Sequence, residues 1–163
     1  MQAQEKADRL YDIIKDFDNA MLVTQIAGRT SHARPMMVAE IRADGDIFFT
    51  TDISSPKVTE ISSSPEVVVT FQSGAQFATV AGLAEVVKDR DLIEQLWSEA
   101  WKVWFPGGKS DPNLCLIRVD GREGEYWDSA GAQGVKRAFE TAKAYLEGRT
   151  PEIDEKQNAK VRM

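Results

Sequence analysis

Residues 48–57 read Phe48-Phe49-Thr50-Thr51-Asp52-Ile53-Ser54-Ser55-Pro56-Lys57. Aromatic and β-branched residues suit a half-buried pleated strand, so the first four positions predict a strand end. The chemistry then changes abruptly. A serine before Pro56 gives a helix N-cap followed by proline at the first helical position, and Val58 and Ile61 lie three apart, which predicts a short helix over 54–61. Just upstream, Asp44-Gly45 is a hairpin signal, because both residues tolerate positive φ. It joins runs at 36–42 and 46–51. Further short apolar or β-branched runs occupy 20–26, 66–72 and 77–87, punctuated by Gly28 and Ser73-Gly74. Two more, at 114–119 and 124–127, are expected to be joined by an Asp120-Gly121 turn. Most of these connections are too short for a parallel crossover. The pattern predicts a mainly β (α+β) domain, a small antiparallel β-barrel with helices around it.

Three more helices are expected outside that meander. Residues 3–17 place Leu10, Ile13, Ile14 and Phe17 on one face. Residues 89–104 carry Leu92, Ile93, Leu96, Trp97, Ala100, Trp101 and Trp104 at helical spacing, stopped by Phe105-Pro106-Gly107-Gly108. A last helix over 132–146 ends at Gly148, a favourable residue after a helix C-terminus. The expectation is one domain over 1–148 and a polar, frayed tail over 149–163.

Composition removes several functions. The 163 residues hold 20 Lys plus Arg against 26 Asp plus Glu, a formal net charge of -6, and the basic residues form no stripe. A nucleic-acid partner is therefore not expected. One cysteine, Cys115, and one histidine, His32, cannot supply the usual zinc sets, and Cys115 in Leu-Cys-Leu-Ile reads as a buried small hydrophobe. No Gly-x-Ser-x-Gly elbow surrounds a serine. The polar start and the lack of a long apolar run predict a cytoplasmic protein that neither enters nor crosses a membrane.

Three segments are candidates for chemistry, each with a plainer alternative. At 50–57, unpaired N–H groups at a helix start, serine hydroxyls and Lys57 would favour an anion such as a terminal phosphate. Alternatively, Ser54 or Ser55 is an ordinary cap and Lys57 is solvated. At 33–38, Arg34-Pro35-Met36 opens a strand, and counting back from the hairpin brings it near or just beyond the end of Phe49–Thr51. Otherwise Pro35 marks a strand start and Met36 is core. At Trp104-Phe105-Pro106, with Trp127 later, an aromatic edge would close a planar ligand or an interface, or simply pack. His32, in a polar turn beside Ser31, reads as a surface residue.

Taken together, these segments resemble the flavin-binding split-barrel proteins related to pyridoxamine 5′-phosphate oxidase, and within them the smaller bacterial general stress proteins. The resemblance covers roughly residues 5–130 and rests on order and spacing rather than on one motif. It implies an antiparallel split β-barrel and a homodimer with FMN, or FAD, at the subunit interface. It implies further that Arg34, Pro35 and Met36 lie along the isoalloxazine and ribityl chain. Thr50 and Thr51 would contact the flavin's polar edge, with Ser55 and Lys57 on the phosphate and Phe49 also among the cofactor-binding residues. Trp104, Phe105, Pro106 and Trp127 would come from the partner or cover the ring. The oxidase's Arg-Met-Val-Leu-Leu-Lys strand reads Arg34-Pro35-Met36-Met37-Val38-Ala39 here, so its lysine is lost. Its Ser-Arg-Lys signature becomes Ser54-Ser55-Pro56-Lys57, and its Arg-x-His substrate motif has no counterpart. Pyridoxamine phosphate oxidase activity itself is therefore not expected.

The resulting expectation is an FMN-dependent oxidoreductase of unassigned substrate, the flavin supplying the electron chemistry. No Gly-x-Gly-x-x-Gly fingerprint is present, so an NAD(P)H donor would dock transiently. One alternative is a stress protein that binds or sequesters FMN or FAD without turnover. Another is a cofactor-free barrel whose Trp-rich segment docks a partner. Among other ligands of such barrels, deazaflavin F420 stays open, and haem ranks last because His32 is the sole histidine ligand available.

Overall fold

The computed structural model describes residues 1–26, 28 and 30–163. The chain runs α1 (Ala3–Ile14), β1 (Asn19–Gln25), β2 (Ser31–Ile41), β3 (Asp46–Asp52), α2 (Pro56–Ser63), β4 (Glu66–Gln72) and β5 (Gln76–Val87). It continues through α3 (Arg90–Leu96), two 3-10 turns at Glu99–Val103 and Gly108–Ser110, β6 (Leu114–Asp128), α4 (Gly131–Glu147) and β7 (Asn158–Arg162). Strands β3-β2-β1-β4-β5-β6 lie side by side, and β6 also pairs with β3, which closes a six-stranded antiparallel barrel. Closure leaves β6 with two jobs. Its first half, 114–120, pairs with β3, and its second half, 123–127, pairs with β7 instead.

Two apolar clusters follow from this closure. Inside the barrel, Leu22, Ile47, Phe49, Val69, Val80, Ile117 and Val119 meet Leu10 and Ile14 of α1 and Ile61 of α2. Outside it, Phe48, Leu114 and Leu116 pack with Ile93, Trp101 and Phe105. Strand β3 is buried along nearly its whole length, which is why it reads as a continuous apolar run rather than an alternation. Successive residues point to opposite faces, so Phe49 enters the barrel while Phe48 enters the outer cluster. Each ring, almost fully buried, contributes about 1.5–3 kcal/mol of transfer free energy.

The structure corrects three sequence expectations. The runs at 114–119 and 124–127 are one strand, and Asp120-Gly121 is not a turn but the approach to a bulge, where Gly82 faces Gly121 while Ala81 faces Glu123. A Cβ on Gly82 would stand 2.1 Å from the Asp120 carbonyl oxygen, so the glycine is what lets the two backbones come together. The expected helix 89–104 is broken. Asp89 caps α3 by accepting from the Asp91 and Leu92 amides, Trp97 leaves helical geometry, and Ser98 caps the following 3-10 turn by accepting from Ala100 N. The break sets the Trp97 and Trp101 rings edge to face at 5.6 Å. Finally, the C-terminal segment is not frayed. Asn158–Arg162 forms β7 on β6, and Ala159 and Val161 join the barrel core.

Candidate functional site

One mouth of the barrel is covered by α2, whose buried Ile61 reaches the core. The helix begins where β3 ends, because Ser55 caps it in extended geometry and Pro56 fixes its first turn. The Ser55 hydroxyl takes no part in the cap. It accepts from Lys57 Nζ at 2.6 Å, and the same ammonium donates to Thr51 Oγ1 at 3.2 Å. Ser54 does something different: its amide and hydroxyl donate to Asp52 Oδ1 at 2.8 and 2.5 Å, locking the turn. The two serines thus divide the roles that the sequence left open. Ser54 shapes the turn, while Ser55 and Thr51 attend the ammonium.

Burial, and then the positive charge of Arg34, push the Lys57 ammonium below its ordinary value. Among the described residues Lys57 forms no salt bridge. Its close partners are hydroxyl oxygens. A half-buried cation, two hydroxyls and the start of a helix make a set of donors suited to a tetrahedral oxyanion.

Arg34 is already committed elsewhere. It lies well inside β2, opposite Leu22 of β1, and the strand starts at Ser31 rather than at 36. Its guanidinium donates to Glu60 Oε2 at 2.6 Å and to Thr24 Oγ1 at 2.7 Å, and meets His32 Nδ1 at 2.7 Å. The Thr24 hydroxyl donates to the same Glu60 oxygen at 2.5 Å. The Thr24 hydroxyl first, and Arg34 after it, hold the Glu60 carboxyl below its ordinary value. His32 is exposed, as the sequence predicts, and its Nδ1 also joins this network. Sequence reasoning missed Glu60 and Thr24. The available signals were the three-residue spacing of Lys57 and Glu60 on one helix, and a threonine at the inward position after Leu22.

The remaining candidates separate. Val38 pairs with Phe49 before a register shift, so Arg34–Met36 do not pair with β3; they meet β1 instead. Met36 and Phe49 are buried in the barrel core, whereas Pro35, on the opposite face from Arg34 and Met36, is exposed. Thr50 and Thr51 point to opposite faces, and it is Thr51 that meets Lys57. Phe105 is buried in the outer apolar cluster. Pro106 is exposed beside it, and Trp104 is 71% exposed. Trp127 pairs with Phe77 and Asn158. Thr51 faces Cys115, and Trp127 is twelve residues further along β6, a chain length of ~40 Å. Four cavities among the described residues have linings that do not include Thr51, Ser55 or Lys57.

Comparison with known proteins adds an independent line. Residues 5–152 match the family model described as "Pyridoxamine 5′-phosphate oxidase like". General stress protein 26 of Bacillus subtilis strain 168 is 27% identical over 126 residues, covering 74% of this chain and 86% of the relative. Protein bli-3 of Neurospora crassa is 31% identical over 98 residues, 53% of this chain, and there the match spans only about half (47%) of the relative. Among solved structures, a protein described as a general stress protein 26 from Jannaschia sp. CCS1 superposes with a TM-score of 0.76 at 25% identity, covering 98% of this chain and 99% of the other. The general stress FMN/FAD binding protein of Xanthomonas citri gives a TM-score of 0.68 at 26% identity, covering 79% and 92%.

Proposed function

The chain belongs to the pyridoxamine 5′-phosphate oxidase-like family, and from that premise we propose that it is a general stress protein-like flavoprotein that binds FMN, with its phosphate on Lys57, Ser55 and Thr51. The observation that carries this reading is the Lys57 ammonium held by two hydroxyls at 2.6 and 3.2 Å, with no carboxylate paired to it among the described residues. The residues present fit a phosphate monoester. They leave Arg34 on Glu60, so Lys57 is the principal cation of the site. Bound flavin supplies hydride and single-electron chemistry. The protein's own part is to hold the phosphate and orient the ring.

Two further features belong to the proposal. The flavin lies between two copies of the chain, as in the split-barrel proteins that the sequence resembles. FAD is accommodated if its adenylate extends outward. The activity is that of an FMN-dependent oxidoreductase in the cytoplasm, with NAD(P)H docking transiently. Among the described residues no helix is long and apolar enough to cross a membrane. Flavin binding without turnover is the second reading. It is favoured by His32, whose Nδ1 is engaged by Arg34 rather than turned to a substrate.

The test is a visible spectrum and a binding titration with FMN and riboflavin. Losing a charge-assisted hydrogen bond costs about 1.5–3 kcal/mol. Lys57→Ala should therefore weaken FMN by roughly 10- to 150-fold while leaving riboflavin within a few-fold. Equal losses for both ligands remove Lys57 from the phosphate. Bleaching of bound flavin by NADH or NADPH under anaerobic conditions separates the oxidoreductase from the flavin store.

A further inference from the structure

Arg34 and Glu60 form an ion pair largely withdrawn from solvent, their side chains 14% and 15% exposed, beside a fully buried Thr24. Every terminal proton of the guanidinium is spent. One nitrogen donates to Thr24 Oγ1 at 2.7 Å and to the Leu22 carbonyl at 3.3 Å. The other donates to Glu60 Oε2 at 2.6 Å and to His32 Nδ1 at 2.7 Å. Arginine carries two protons on each of these nitrogens, so the four partners leave neither with a proton for a ligand. On Glu60, Oε2 accepts from the Thr24 hydroxyl as well, and Oε1 stands 3.6 Å from His32 Nδ1.

The pair nevertheless belongs electrically to the Lys57 site. Glu60 follows Lys57 by three residues on α2, which places it one turn along the same face. After burial, it is the charge of Arg34 that pushes the Lys57 ammonium down; Glu60 pulls it back up, and Asp52, tied to Ser54 at the turn, does so less. Partly buried charges are weakly screened by salt. Arg34 and Glu60 therefore cancel each other at the site, and among the described residues Lys57 is left as its one uncompensated buried cation. Without the Glu60 charge there would be two. A phosphate monoester carries close to two negative charges above pH 7, whereas each phosphorus of a pyrophosphate linkage carries one. A single net cation gains little from the second charge that sets the monoester apart.

Resting on the flavin reading above, we propose that Glu60 sets the class of phosphate the site accepts: by cancelling Arg34 it removes the advantage of a monoester dianion, so that the pyrophosphate of FAD is taken as readily as the phosphate of FMN. Glu60 is a positioning residue in this scheme, since it touches Arg34 and Thr24 and not the ligand. The experiment is a fluorescence titration of the full-length protein with FMN, FAD and riboflavin at pH 8, where the FMN phosphate is a dianion, at constant ionic strength. Wild type should bind FMN and FAD within a few-fold of each other. Glu60→Gln keeps the size of the side chain and an oxygen for Thr24 but removes the charge. It should tighten FMN by about tenfold relative to FAD and leave riboflavin where it was. Ligand-free Glu60→Gln should melt lower than wild type, because Arg34 is left buried without its counter-charge, and FMN should raise its melting temperature by more than it raises that of wild type.

The double variant Arg34→Gln/Glu60→Gln removes both charges, restores the single net cation and should bring the FMN-to-FAD ratio back to that of wild type. A merely structural role for Glu60 would weaken all three ligands together without repair by the second substitution, and that result overturns the proposal. So does a wild type that prefers FMN to FAD by about a hundredfold or more. The wild-type ratio and the double variant carry the test even where the single variant folds poorly. An unchanged ratio in a folded Glu60→Gln sinks the role of Glu60 and leaves the flavin reading standing. A wild type that binds none of the three flavins sinks both.

Discussion

At Glu60 three side chains from two strands converge on one carboxylate. Thr24 and Arg34 reach it at 2.5 and 2.6 Å, and His32 Nδ1 stands at 3.6 Å. The carboxyl titrates below its ordinary 4.5 because hydrogen bonds, first from Thr24 and then from Arg34, favour its ionised form. A group whose folded value is depressed stabilises the fold above the unfolded value and loses that contribution as pH falls through the folded one. Thermal stability should therefore decline on acidification below about pH 4.5, and Glu60→Gln should flatten that acid limb while lowering stability at pH 7. An unchanged limb in the variant would show that other carboxylates control it. The same network pairs Arg34 with Glu60, so on the proposed reading Lys57 alone is left to meet the phosphate.

Among the elements, β5 and β6 carry the sharpest steric requirement. Their backbones approach so closely at the bulge that a Cβ on Gly82 would lie 2.1 Å from Asp120 O and 3.1 Å from Gly121 Cα. Backbone atoms cannot swing aside as a side chain can. Gly82→Ala should destabilise by about 1–3 kcal/mol through overpacking, read as a lowered denaturation midpoint. Gly74→Ala is the matched control, since nothing lies within 4 Å of its Cβ position. Equal midpoints for the two variants would refute the steric account. This bulge is also where the local signal misled, because Asp-Gly is a turn signal only where no neighbouring strand continues past it. Strand β5 does continue, and its pairing across Gly82 and Gly121 carries β6 straight through.

For the whole molecule, the last strand returns to the first helix. Val161 lies in the core cluster with Leu10 and Tyr126, and α1 lies against β5, β6 and β7. The N-terminal ammonium and Lys6 both pair with Glu155, each at 2.5 Å. Val161→Asp puts a charge where 4% of the residue is exposed, which should cost about 3 kcal/mol or more. It should lower the melting temperature of the entire barrel in a single transition. A frayed tail would leave the melt untouched.

Local sequence determined what local physics controls. Strands β1, β3, β4 and β5, the Asp44-Gly45 hairpin, the start of α2 and the end of α4 at Gly148 all follow from short apolar and β-branched runs, turn chemistry and capping, which act over a few residues. The meeting of Thr51, Ser55 and Lys57 is local too, since they sit within seven residues of one another across a strand-to-helix junction. Tertiary structure alone decided the rest. Asn158–Arg162 holds two small apolar residues and becomes a strand only because β6 offers an unpaired edge beyond the stretch that β3 occupies. Arg34 finds Glu60 across twenty-six residues, a partnership made by α2 closing the barrel mouth over β1 and β2. Phe105 is core and Trp104 exposed because the helix breaks at Trp97 and turns one aromatic inward and the next outward. In each case the deciding contact joins segments far apart in the chain, where propensity and periodicity carry no information.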